Sequence, residues 1–300
     1  MLNNRLVLIL VTAMAPAVWG STYLVTTEFL PPDRPLLAAA IRSLPPGLLL
    51  ILITRQLPKG IWWWRALALG ALNIGIFLAL LFVAAYRLPG GVAATVMAIQ
   101  PLIVAGLSTA LLGERLTVRT AIAGIAGVVG VSLLVLRSNA HLDVIGVVAA
   151  VAGAVTMASG VVLSKRWTSP VPVLAMTGWQ LTAGGLLLLP VTFLVEGAPP
   201  ANLTITNLAA YAYLAIPGAA IAYALWFRGI RALSATSVTF LSLLSPVVAT
   251  TLGWLVLGQS LSPLQGLGAL IVLASMVVVQ LRRAPAAKPA EGPQLSPARR

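Results

Sequence analysis

Apolar residues run together in long blocks along this chain, and polar residues gather in the short breaks between them. Ten blocks stand out, at roughly 5–27, 35–54, 62–86, 91–112, 118–137, 143–165, 172–195, 206–228, 234–257 and 262–281. Each is close to the ~20 residues that cross a bilayer. Connections such as Pro31–Arg34, Arg55–Ile61, Arg137–Leu142 and Glu196–Thr206 are short. In hydrocarbon the backbone must satisfy its own hydrogen bonds, so the blocks are predicted to be helices. Small residues such as Gly124, Gly127 and Gly130 let such helices approach closely. The first block follows Arg5 as a signal peptide would, but it is too long for one and has a counterpart later in the chain, so it is read as a real span. The tail "APAAKPAEGPQLSPARR" has no apolar period and is expected to be disordered.

The pattern repeats. "LLGERLTVR" (111–119) returns as "VLGQSLSPL" (256–264), and an offset of 145 residues joins Pro101 to Pro246, Gly113 to Gly258 and Leu116 to Leu261. The same offset lays "YRLPGGVAATVMAIQPLI" (86–103) over "RALSATSVTFLSLLSPVV" (231–248). An offset of 138 lays Ser21 over Ser159, Arg42 over Gln180 and "GLLLI" (47–51) over "GLLLL" (185–189). The expected architecture is an all-α membrane protein of ten transmembrane helices in two five-helix repeats, 1–140 and 141–283, followed by a tail, 284–300. Five is odd, so the second copy enters the membrane inverted, an arrangement used by transporters that hold their solute near the midplane.

Composition agrees: 59% of the 300 residues are hydrophobic and 8% charged, against about 25% charged in soluble domains. The net charge of +13 is a topology signal. Fifteen Lys and Arg fall at one set of span ends: Arg5, Arg55, Lys59, Arg65, Arg115, Arg119, Lys165, Arg166, Arg228, Arg231, Arg282, Arg283, Lys288, Arg299 and Arg300. Three fall at the other: Arg34, Arg87 and Arg137. The positive-inside rule places both termini in the cytoplasm, and a nucleic-acid partner is not expected. It also explains the two versions of the repeated turn. The first faces the cytoplasm with Arg115 and Arg119, and the second faces outward with Gln259 and Ser260 in place of Glu114 and Arg115.

Catalytic chemistry finds no foothold. There is no cysteine, and the lone His141 falls in a polar connection. The acids Glu28, Asp33, Glu114, Asp143, Glu196 and Glu291 all lie at span ends, in loops or in the tail. No carboxylate pair, HExxH, G-x-S-x-G or phosphate-binding loop is present, so no enzyme activity, metal or cofactor is expected. The lack of an acid at midplane depth disfavours a cationic solute or a carboxylate-borne proton. The buried charge is positive: Arg42, about two turns into the second block, is either a functional group or a structural one snorkelling to the interface.

Other candidates sit where spans are interrupted. Trp19 and Tyr23 follow Pro16; Met97 and Gln100 precede Pro101; Ser245 precedes Pro246; Asn73, Trp179, Gln180 and Tyr223 lie within later blocks. Each either lines a polar cavity or bonds to a neighbouring helix; as a set they suggest a midplane pocket for small amphipathic molecules. Pro16, Pro101 and Pro246 are candidate breaks or gates. "WWW" (62–64) after Lys59 reads as an interfacial belt, and "NLT" (202–204) as a chance glycosylation match.

Ten spans in two copies, "WGS" in the first, "LAAAIRSLPPGLLL" (37–50) in the second and proline followed by "LLGERLT" at the fourth-to-fifth turn resemble the drug/metabolite transporter superfamily, EamA-type, over about 6–282. Within it the chain is most similar to the YddG-type bacterial exporters of aromatic and neutral amino acids. The resemblance implies an inner-membrane exporter of amino acids such as Phe, Trp, Tyr and Met, or related metabolites, by alternating access through a central cavity. The second copy departs from the motif at Gln259, so Glu114 is read as a capping or salt-bridging residue rather than a coupling site. Arg42, or helix ends freed by Pro101 and Pro246, would meet the carboxylate; Trp19, Tyr23, Trp179 and Tyr223 would face the side chain and ammonium. A facilitator is expected, in membrane lipid, as a monomer or weak homodimer. The alternatives are export of other amphipaths (drugs, nucleosides, sugar derivatives) and a non-transporting membrane assembly subunit with a sealed interior.

Overall fold

A computed structural model of the protein describes residues 2–88, 90–135 and 143–281, with the side chains of 2, 3, 23, 85, 86 and 90–92 outside the described set. His141 and the tail after 281 also lie outside it. Among the described residues, ten helices are long and apolar enough to cross a membrane. They are α1 (Asn4–Phe29), α2 (Pro35–Thr54), α3 (Trp62–Ala84), α4 (Ala93–Leu112), α5 (Val118–Val135), α6 (Val144–Arg166), α7 (Val173–Glu196), α8 (Ile205–Ala232), α9 (Ala235–Leu257) and α10 (Pro263–Gln280). Expected and observed bounds agree to within a turn.

Local chemistry sets the ends. Asp143 accepts from Gly146 N at 2.7 Å and caps α6, while Thr204 with Asn207 and Ser262 with Gln265 form capping boxes on α8 and α10. The repeated turn is one device used twice. Gly113 and Gly258 stop α4 and α9 in the left-handed region, at φ 68° and 64°. The next amide then reaches back six residues, Glu114 N to Ser108 O and Gln259 N to Gly253 O, both at 3.1 Å. Whatever else differs between the copies, glycine is required at both positions.

The helices pack as an exchange of halves predicts. α2 lies on α7 and α5 on α10; α1 packs on α8 and α9 as α6 packs on α3 and α4. Gly185 abuts Leu44, Gly47 abuts Thr182, and Gly178 abuts Leu50, so numbers fall along α7 as they rise along α2. Between α5 and α10, Gly127 faces Ser275 and Gly130 faces Gly268 and Val272, again antiparallel. In these two pairs the matching spans run in opposite directions, and glycines set the close approach in both.

Four spans are irregular, in matched pairs. α3 contains a π-turn at Ala71–Gly75 and α8 one at Ile216–Ile221, with 145 residues between their first members. α4 breaks between Gly90–Met97 and Gln100–Leu112, and α9 between Ala235–Leu241 and Leu244–Leu257. Pro101 and Pro246 are not kinks inside helices; they sit in the first turn of the second piece, where a missing N–H costs least. Pro16 lies inside an unbroken helix.

Two polar clusters related by the repeat

Pro217 has no N–H to return to Tyr213, and the chain widens there by one residue. Ala222 N then bonds to Pro217 O and Ala219 O, passing over Gly218 O. That carbonyl accepts from two side chains: Trp19 Nε1 at 3.1 Å and Arg42 Nη2 at 3.3 Å. Arg42 Nε is buried and has no partner among the described residues. Trp19 also lies 5.0 Å from the ring of Tyr223 and 5.2 Å from that of Trp226, and Tyr223 stacks on Phe227 at 5.8 Å. Ser21 Oγ meets Tyr213 Oη at 2.6 Å beside them. The first cluster thus joins α1, α2 and α8: aromatic faces, a guanidinium with an unspent donor and a shared carbonyl.

The second cluster joins α6, α3 and α7, the spans that exchange of halves puts in place of α1, α8 and α2. Asn73, inside the π-turn of α3, donates through Nδ2 to Gln180 Oε1 at 2.7 Å and to Ser164 Oγ at 3.1 Å. All three residues are buried. Asn73 Oδ1 presses on Gly160, where any Cβ would collide with it. Asn73 Oδ1 and Gln180 Nε2 have no partner among the described residues. Offsets 138 and 145 map Gln180 onto Arg42 and Asn73 onto Gly218. The same contact is made with two amides in one half and with a guanidinium and a backbone carbonyl in the other.

The remaining candidates fall elsewhere. Trp179 packs on Trp62 at 6.3 Å and donates to Gln56 O at 2.7 Å, so it stands with the 55–62 segment and not with Trp19 and Tyr223. Met97 lies against Gly153 of α6, and Gln100 is buried at the α4 break. Ser245 O abuts Gly20, one residue past Trp19. The side chain of Tyr23 is outside the described residues. At the two breaks, Ile99 N, Leu102 N, Leu243 N and Ser245 N all reach carbonyls three residues back, so these amides are already spent. Sequence reasoning did not single out Tyr213, Trp226 or the Gly218 carbonyl; the signal for the last is "IPG" (216–218) in the middle of an apolar span.

The ends of the bundle differ. Arg55, Lys59, Arg115, Lys165, Arg166 and Arg231 share one end, tied together by bonds between its loops. There Lys165 Nζ holds Arg231 O and Leu233 O, at 2.9 and 2.8 Å, and Glu114 holds Ala235 N and Thr236 Oγ1, at 3.0 and 3.1 Å. A cation thus sits on the carbonyl end of α8 and an anion on the amide end of α9, each matched to the helix dipole it meets. Glu114 is a cap, as expected, but of a helix in the other half. At this basic end Ala235–Leu241 packs on Gln100–Leu112. The counterpart, Gly90–Met97 on Leu244–Leu257, has no packing of comparable extent among the described residues. At the far end Arg87 pairs with Asp143 at 3.7 Å, and Glu196 accepts from Leu37 N at 2.9 Å. A cavity of about 230 Å³ there is lined by Thr250, Trp254, Gln259, Ser260, Leu261 and Gln265, none of them a candidate.

With ten spans, matched breaks and two internal polar clusters, the molecule has the form of a multi-pass solute transporter. The EamA-like transporter family model matches it twice, over residues 6–136 and 144–281. Protein PecM of Dickeya dadantii is 50% identical over 89% of this chain and 90% of its own length. The uncharacterized inner membrane transporter YedA of Escherichia coli K12 is 30% identical over 88% and 87%. A chain of known crystal structure superposes with a TM-score of 0.77, covering 91% of this chain and 96% of its own at 21% identity, which concerns the fold alone. The chain belongs to the EamA-like transporter family, within the drug/metabolite transporter superfamily.

Proposed function

We propose that the protein exports amino acids with neutral and aromatic side chains, and related small metabolites, by alternating access. The observation that carries this reading is the first cluster: a guanidinium with a buried, unspent N–H beside the faces of Trp19, Tyr223 and Trp226. A carboxylate fits the first and an apolar or aromatic side chain the second. The two repeats, 1–140 and 141–283, rock about the clusters, and the described conformation is the one closed at the basic end. The charge bias makes that end cytoplasmic, and the bacterial inner membrane named for YedA is the proposed location. With no acid in either cluster, solute moves down its own gradient, through a monomer or weak homodimer.

The test is uptake of labelled phenylalanine, tryptophan and methionine into proteoliposomes with no imposed pH gradient. Equilibration by the wild type and its loss in Arg42→Ala are the expected results. No flux of any of the three, with or without a pH gradient, sinks the amino-acid reading and leaves the other amphipaths.

A further inference from the structure

At the basic end, outside both clusters, Arg65 is held between two indoles. Its Cζ lies 5.2 Å from the ring centre of Trp62 and 5.4 Å from that of Trp167. The sandwich is built in advance. Trp62 packs on Trp179, whose Nε1 is tied to Gln56 O, and Ile51, Trp167 and Val171 close around them. Among the described residues no carboxylate pairs with Arg65 and no hydrogen-bond acceptor is assigned to it. A planar fork of five donors is thus fixed in orientation and left unspent.

The surroundings define what fits. Arg55, Lys59 and Arg166 are exposed at the same end, and the one acid there among the described residues, Glu114, is committed to Ala235 and Thr236. None of the described carboxylates pairs with Arg65, which leaves its guanidinium open to an external anion. Trp63 and Trp64, 59% and 65% exposed beside Arg65, mark the depth as that of lipid headgroups. A phosphodiester offers paired oxygens to the guanidinium fork, and acyl chains would lie on the exposed apolar surface of Leu52, Ile53 and Leu67. A zwitterionic headgroup would bring an ammonium among three further cations, so an anionic one is favoured. We propose that Arg65, Trp62 and Trp167 form a binding site for the phosphate of an anionic phospholipid, phosphatidylglycerol in type. Trp62 belongs to the first half and Trp167 to the second, so the bound lipid spans the seam between the repeats.

Native mass spectrometry of the full chain, delipidated and titrated with phosphatidylglycerol, reads the site without any transport, so its outcome is independent of the solute. One tightly held phosphatidylglycerol is expected on the wild type. Its affinity should fall at least ~10-fold in Arg65→Ala and Trp167→Ala, and several-fold in Arg65→Lys, which keeps the charge but not the fork. Lipid-free unfolding midpoints check folding, and Arg65→Lys carries the test if either alanine variant fails that check. Phosphatidylcholine binding as tightly as phosphatidylglycerol, equal retention by all variants, or displacement by inorganic phosphate at matched concentration would each overturn the proposal, the last in favour of a free-phosphate site.

Discussion

Arg42 with Gly218 and Gln180 with Asn73 occupy the same places in the two copies of one plan, yet they are opposite in character. The amide pair is neutral, fully buried and mutually bonded, with Gln180 Nε2 left over; its counterpart is charged and half-buried, with Arg42 Nε left over. Side chain and space have also traded places. Where α3 projects Asn73, α6 supplies Gly160 to admit it; where α8 has Gly218, the position matching Gly160 is Thr22. Duplication preserved the contact between spans and released its chemistry. One copy is a neutral fastener between helices; in the other a charge stands in its place, and the proposed function gives that charge the solute's carboxylate.

The sharpest way to break the comparison is to erase the difference. Arg42→Gln writes into the first half the residue that the second half uses. A carboxylate that loses a charge-assisted contact worth about 3 kcal/mol loses on the order of 100-fold in flux. The expected result is loss of amino-acid uptake in proteoliposomes with the unfolding midpoint nearly unchanged, because Trp19 Nε1 still holds Gly218 O. Unaltered flux would put the charge outside the pathway.

The second half should respond the other way, in stability first. Gly160→Ala drives a methyl into Asn73 Oδ1, and overpacking of this kind costs about 1–3 kcal/mol, or roughly 5 °C in the midpoint. Within the pair, Asn73→Ala and Gln180→Leu each strand a buried polar partner, at about 1–2 kcal/mol. The double variant strands neither, so it should unfold no earlier than the worse single one; strict additivity would show that the two amides do not act as a pair.

How much of this could be read beforehand follows from where the information lies. Span lengths, the inverted plan, Pro101 and Pro246 are local or periodic features, and apolar blocks of bilayer length leave few alternatives. Asn73, Gln180, Arg42 and Trp19 were legible as residues out of place in hydrocarbon, but not as partners. Their pairing depends on the register of α3 on α7, set by Gly70 and Gly184 against Ala183 and Ile74, and on a π-turn at "ALNIG" that contains no proline. Trp179 illustrates the opposite error: an aromatic inside a span suggests a solute face, but its place two turns from the basic end gives it to the Trp62 group.

The smallest effect concerns the residue that differs most visibly between the copies. Glu114→Gln reproduces Gln259 at the basic end. The amide can still accept from Ala235 N, but the charge that met the amide end of α9 is gone, a change worth about 0.3–1 kcal/mol. That is too little to unfold the protein and enough to shift a two-state equilibrium about 2–5-fold. The chain has no cysteine, so a single Val238→Cys reports on the seam between Ala235–Leu241 and Gln100–Leu112, where Val238 is fully buried. If Glu114 helps hold that end shut, labelling of the thiol from the basic side should speed up by the same factor. If labelling is unchanged while the midpoint falls slightly, Glu114 is a cap of α9 and nothing more. The loss of charge at position 259 would then follow from topology alone, since an outward-facing turn has no need of the clamp that Lys165 and Glu114 make between α8 and α9.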